Sequence, residues 1–542
     1  MKGSRSVRGR RTLLVVLVLA VIAVAGWLVI DGPLSLRKPQ HRFTIGKATT
    51  YATGPVDPDG YVDYVTALNE RLSEHIKPAD NANVLLWQAL GPHPEDGTMP
   101  PGYFHWLGMK RPPDRGEYWI PVSRFLDEHP KLAPSKRPIN KAAPDPAYQQ
   151  LDDAERRPWK VNEFRWMVAW LKANAKPLAL TVQATRRSQY FNPLVPSSHG
   201  TQPAGLVAAL LPNVQTCRGL ATALACRAML ALGEGRPDDA WQDLLACHRL
   251  GRLVARGGTV IEFLVGVALE GIVGQADVTL LASGKLDAQQ IVSHLHDLQS
   301  LPPFPALADK VDLGERFMAL DTAMMVQRHG VAYLYGVGVG SPADSFLERI
   351  GQAFEQFELN QANWNDVLGR INQWYDRLVA AMRINDRATR DKQLAALAQE
   401  LKDARLAHHG ILVLLSHEQV GEWLSYTLLS LLTPALEKIQ TSSDRVEQVQ
   451  SNLYLAFALA AYRQEHGRYP ESLSALAPKY LSRVPLDLFS GKALIYRPRA
   501  DGYLLYSVGV NGKDEEGRGY EDMPPGDDLS VRIPLAGARG KK

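Results

Sequence analysis

Residues 444–466 read DRVEQVQSNLYLAFALAAYRQEH and run into Gly467-Arg468-Tyr469-Pro470. Val446, Val449, Leu453, Ala456 and Ala460 recur at three- and four-residue steps, with Tyr454, Phe457 and Ala461 beside them. That is the period of a helix burying one face. Gly467 ends the helix and Pro470 cannot extend it. A short helix is expected at about residues 471–477. After Pro485 the pattern changes to two β-rich runs, 493–498 and 503–508, and Arg499-Ala500-Asp501-Gly502 between them has the composition of a hairpin turn. A polar loop, Asn511-Gly512-Lys513-Asp514-Glu515-Glu516, and an acidic pair, Asp527-Asp528, follow. The pattern predicts a small α+β module over residues 442–535 and a disordered tail over 536–542.

Several ordered positions carry a more specific likeness: Ala458-Leu459-Ala460-Ala461-Tyr462, Gly467-Arg468-Tyr469-Pro470-Glu471-Ser472-Leu473, Tyr480-Leu481, Val484-Pro485, Asp487, Phe489-Ser490-Gly491-Lys492 and Leu505-Tyr506-Ser507-Val508-Gly509. This stretch, about a sixth of the 542 residues, resembles the C-terminal domain of the major pseudopilin of type II secretion systems. The resemblance implies a helix packed on a small antiparallel sheet, with a late loop that binds calcium. By the same resemblance Asn511, Asp514, Asp527 and Asp528 are the metal-binding candidates. Ca²⁺ takes six to eight hard oxygen ligands, so carboxylates gathered on one loop suit it chemically. The chain departs from the pattern in three ways. Asn511 stands where the family has Asp, Leu488 stands where it has Pro after the aspartate, and the loop to Asp528 is longer. An acidic solvated loop without metal is the other reading. No prepilin leader is visible at the N-terminus, so the module is expected to be an appended one rather than part of a polymerising pseudopilin.

At the other end, Lys2, Arg5, Arg8, Arg10 and Arg11 precede an uncharged apolar run over residues 13–30, near the length that spans a bilayer. Positive charge stays in the cytoplasm, which places everything after Asp31 outside it. Two readings compete: a single-pass inner-membrane anchor, and a signal peptide cleaved after the small-x-small triplet Ala23-Val24-Ala25. Trp27 and the continued apolar run favour the anchor. Both put the main body in the periplasm. Two later apolar stretches, 259–282 and 411–436, carry Glu262, Glu270 and Asp277, or His417, Glu418 and Glu422. Charges at a helix centre cost roughly 2.5–3.5 kcal/mol each on insertion, so both read as buried helices.

The expected fold class is mainly α. Five parts follow one another: a transmembrane anchor (1–30), a Trp- and Pro-rich mixed helical region (31–203), a helical repeat-like domain (204–302), a further helical domain (303–441) and the α+β module (442–535). Asp57 and Asp59 read as N-caps for the stripe Tyr61, Val65, Leu68, Leu72, in preference to a calcium loop with Asp63. Trp166 and Trp170 form a stripe four residues apart, read as core in preference to a carbohydrate platform. Residues 220–232 and 237–254 read as a helix pair around the turn Gly233-Glu234-Gly235-Arg236, with Pro237 in the first helical turn. Leu224, Ala228, Gly235, Ala240, Leu244 and Cys247 resemble one tetratricopeptide repeat. The body is therefore expected to be solenoid-like or an irregular bundle.

Cys217, Cys226 and Cys247 all lie on this pair. Buried free thiols are the main reading and a Cys226–Cys247 bridge the alternative. The glycine-rich run 335–342 lacks the strand and helix that a phosphate-binding loop needs and reads as a connector. His408, His409 and His417-Glu418 lack the i, i+4 pairing of a zinc helix, since position 421 is Gly421. No nucleophile elbow, P-loop or paired-cysteine motif is present. A net charge of +4 supplies no basic stripe for nucleic acid. The function expected is a non-catalytic envelope scaffold with a protein partner. The alternative is an exported hydrolase with its site in residues 31–203.

Overall fold

The computed structural model describes residues 43–100, 102–134, 145–197, 204–330, 333–334, 362–407, 417–432 and 436–535. The N-terminal apolar run, the glycine-rich run, His408, His409 and the tail 536–542 lie outside them. Among the described residues the protein is mainly helical, with one three-stranded antiparallel sheet at the C-terminal end.

Helix α1 (Tyr64–Ser73) is capped by Asp63, whose carboxylate accepts from Thr66 N at 3.0 Å. This corrects the reading of Asp57 and Asp59 as caps. A bridge between Val56 and Val62 turns the preceding segment back on itself, and both aspartates pair instead with Arg328. Helix α2 (Ala82–Leu90) packs on α5 (Ala175–Ala184), while α3 (Pro146–Arg156) and α4 (Arg165–Ala173) line the same side of the molecule. Trp166 and Trp170 are buried in that core, and their indole N–H groups donate to Gln150 and to the Ile120 carbonyl.

The centre is a helical hairpin, α6 (Pro212–Gly233) and α7 (Pro237–Val254), packed on α8 (Val260–Ala282). Pro237 opens α7 as expected, and Gly235 takes the positive φ of the turn. Helix α6 starts eight residues earlier than its apolar stripe, because Asn213, Val214 and Cys217 are held in the interior and draw the chain into helix. All three cysteines are free and buried, so the Cys226–Cys247 bridge is not formed. The two thiols donate to different carbonyls, Leu151 O and Ala221 O.

Helix α8 opens with a reciprocal cap. The Thr259 hydroxyl accepts from Glu262 N, and the Glu262 carboxylate accepts from Thr259 N. Among the described residues it is the one helix long and apolar enough to cross a membrane, but it is an interior element here. Its first turns, with Val260 and Phe263, belong to one core; Val265, Leu269 and Val273 belong to another. The former core also takes in α10 (Arg316–His329), α11 (Trp364–Met382), α12 (Arg387–Ala407) and α13 (His417–Leu432).

The other, larger core runs from α2 through α9 (Ala288–Gln299) and then resumes at α14 (Leu436–His466) and the sheet. Helix α14 begins eight residues before the segment read from its stripe. Its middle is also buried all round rather than on one face: Leu455 to Leu459 are all 0% exposed, while Arg463 to His466 are exposed. The reason is that α8 and α9 cover one side and strands β2 (Tyr503–Ser507) and β3 (Leu529–Ile533) the other. Strand β1 (Ile495–Pro498) pairs with β2 from Pro498↔Tyr503 to Ile495↔Tyr506, and the Arg499–Gly502 turn closes the hairpin. The expected short helix is a single 3₁₀ turn, Leu473–Leu476.

Candidate metal centre

Strand β3 pairs antiparallel with β2, Tyr503↔Ile533 to Ser507↔Leu529, so the long connection between them must return to the sheet end where it began. Gly509 makes this possible. It sits at φ +65°, and a Cβ there would stand 2.2 Å from the Asp527 carbonyl oxygen. The two ends of the loop are thus pressed together, which brings Asp527 and Asp528 beside Glu515. One oxygen from each of these three carboxylates lies within 4.8 Å of the others.

Backbone amides hold the group in place. Asp528 Oδ2 accepts from Gly517 N at 2.7 Å and Glu515 N at 3.1 Å, and Asp527 Oδ2 accepts from Asn511 N at 3.0 Å. The remaining oxygen of each aspartate, Oδ1, is buried and has no hydrogen-bond partner, although the residues are only 9% and 3% exposed. Buried acceptors left unpaired are costly, and here two sit beside a third carboxylate. Burial pushes the Asp528 carboxyl up to about 6; the donated amide bonds oppose the rise, and the Glu515 and Asp514 charges add to it. The Asn511 side-chain amide donates to Glu515 at 2.7 Å and holds that carboxyl below its usual range.

The chemistry fits a hard divalent cation: three anionic oxygen donors on one loop, two of them without another partner. Of the four candidates from sequence, the structure brings Asp527 and Asp528 together. Asn511 borders that group, its backbone N–H donating to Asp527 and its side-chain amide to Glu515, whereas Asp514 is bonded to β2. The Asn511 side-chain oxygen accepts from Lys513 N, while Asp514 Oδ1 accepts from the Tyr506 hydroxyl at 2.9 Å and from Glu516 N. Asp514 faces β2, so its neighbour Glu515 takes the third place. Asp487, in the Asp-x-Phe-Ser-Gly run, does separate work: it accepts from Phe489 N, Ser490 Oγ, Ser507 Oγ and Val508 N, pinning that turn to β2.

A second convergence of charge lies between α7 and α8, and sequence reading did not single it out. His248 is held between Glu270 (Nδ1 to Oε2, 2.9 Å) and Asp277 (Nε2 to Oδ2, 2.8 Å), and Glu270 also pairs with Arg252. Burial alone would push the imidazole down; the two carboxylates overcome it and raise it to about 10. Arg252 stacks over Phe304 at 4.4 Å. The group is sealed from solvent, which suits holding helices in register more than turning over a substrate. The signal was present in sequence as two acids seven residues apart on α8, noted there only as charges unsuited to a membrane.

Where the Trp-rich region meets the turn after α6, a surface depression lined by Lys160, Val161, Asn162, Arg165, Gly233 and Glu234 carries one carboxylate, and Glu234 is already paired with Arg236. No family model, curated protein or solved structure matches the chain.

Proposed function

We propose that this chain is a membrane-anchored, exported, non-catalytic scaffold of the bacterial envelope, whose C-terminal α+β module binds calcium and whose helical body engages a protein partner. The observation that carries the calcium reading is the pair of buried, unpartnered oxygens on Asp527 and Asp528 beside Glu515. A bound Ca²⁺ would be held by those three carboxylates, with carbonyl and water oxygens completing its shell. It would neutralise their mutual repulsion and fasten the β2–β3 loop to the sheet. A helix laid on a three-stranded antiparallel sheet, with the acidic pair just before its last strand, supports the pseudopilin-like reading of residues 442–535. The charged N-terminal segment followed by an apolar run supports export.

Thermal unfolding of the full-length protein in Ca²⁺ and in chelator tests the metal. A ligand bound only by the folded state raises the midpoint by mass action. An unchanged midpoint on chelation refutes the assignment. Reporter fusions at the C-terminus test export, and a reporter retained in the cytosol refutes it.

A further inference from the structure

The three carboxylates bracket one loop, residues 516–526, and that loop touches two helices besides its own sheet, α3 of the helical body and α14 of the C-terminal module. It meets each of them at an arginine. Glu521 accepts from Arg156 Nη1 at 3.1 and 3.2 Å. The Tyr520 ring lies 4.9 Å from the Arg445 guanidinium, and its hydroxyl accepts from Arg445 at 3.2 Å. Arg156 closes α3, and its carbonyl accepts from Thr279 Oγ1 on α8. Arg445 lies in the first half of α14. Immediately after the triad, the Leu529 carbonyl accepts from the buried Asn452 of α14 at 2.8 Å. The loop between the acids is also closed on itself, by Gly526 N to Gly519 O, Asp528 N to Arg518 O, and Arg532 to Asp522.

We infer that divalent-cation binding at Glu515, Asp527 and Asp528 latches residues 516–526 against α3 of the helical body through Arg156 and against α14 through Arg445, so that the cation sets how firmly this loop braces the two helices. The inference rests on the calcium reading above. Its physical basis is preorganisation. The Arg156 and Arg445 contacts are exposed, and each is weak when the partner loop must be ordered first. With the three carboxylates uncompensated, their repulsion acts on both ends of that loop. With a cation between them, the loop is presented in the shape that both arginines meet. Nothing in this scheme needs the cation to touch the body.

Hydrogen exchange on the full-length protein in Ca²⁺ and in chelator, with calorimetric titration of Ca²⁺ in parallel, tests it. The expected result is slower exchange in the loop and, beyond it, in the last turn of α3 and the first half of α14. In the double variant Tyr520→Ala/Glu521→Ala, whose substitutions are at exposed positions outside the triad, Ca²⁺ affinity should stay within about threefold, while the protection of α3 and α14 disappears. Calcium binding with protection confined to residues 511–529 in the unsubstituted protein overturns the latch and leaves the calcium reading standing. Absence of any calorimetric binding overturns both.

Discussion

The imidazole Nε2 of His248 stands 2.8 Å from Asp277 Oδ2 inside an interface closed to water, where α7 packs on α8. Glu270 and Arg252 complete a group of two cations and two anions, so the charges balance only while all four are present. Removing one partner of a buried pair leaves its counterpart uncompensated, at about 3–5 kcal/mol. Asp277→Ala should therefore lower unfolding stability by that order in urea titrations. A loss under about 1 kcal/mol would show that water or neighbouring groups already screen the cluster.

Glu315 is half-buried just before α10 and accepts from Val260 N, and desolvation raises its carboxyl from an ordinary 4.5 to about 7. The folded state thus holds a proton that the unfolded chain releases. Its contribution to stability is complete below about 4.5, falls as pH rises towards 7, and is constant above that. At ~1.4 kcal/mol per pK unit the span is on the order of 3–4 kcal/mol. Glu315→Gln should flatten the fall in stability between pH 5 and pH 8. Part will remain, since burial also raises Asp321 to about 7. Equal slopes in variant and parent would refute the assignment.

The proposed metal centre separates the residues gathered by folding from those proposed on sequence position. Glu515→Gln and Asp528→Asn should each weaken Ca²⁺ binding more than tenfold and abolish the calcium-induced rise in the melting midpoint. Asp514→Asn should keep that rise, because its carboxylate faces Tyr506. For a saturating ligand at a hundredfold excess over Kd the stabilisation is about 2.7 kcal/mol. A larger loss in Asp514→Asn than in Glu515→Gln would reverse the assignment.

Gly233 ends α6 against the Trp159 backbone, and a Cβ there would lie 1.9 Å from the Trp159 carbonyl oxygen. Backbone cannot move aside as a flexible side chain does. Gly233→Ala should cost about 1–3 kcal/mol by overpacking, read as a lowered urea midpoint at constant slope.

Much of the scaffold was legible because short-range periodicity carries it. The α6–α7 hairpin followed from its stripe, its turn and Pro237, and the β1–β2 hairpin from two apolar runs around Arg499–Gly502. Strand β3 was legible too, as Leu529, Val531 and Ile533 alternate inward, but it was passed over beside the acidic pair. The N-cap of α1 went to Asp63 and not to Asp57 or Asp59, because a bridge from Val56 to Val62 decides where the chain enters the helix.

Local pattern was enough to establish a mainly helical chain with an α+β end and an acidic loop, since helix and strand periods are properties of neighbouring residues. Which faces are buried, and which acids meet, depended on contacts across long separations. The middle of helix α14 is enclosed because α8, nearly two hundred residues earlier, and β3, some seventy later, close on it from two sides. Glu515 meets Asp527 and Asp528 because β2–β3 pairing and the tight approach at Gly509 bring the loop ends together. Charge in a sequence is additive, whereas the spacing of carboxylates in space is set by the backbone that returns them to one another.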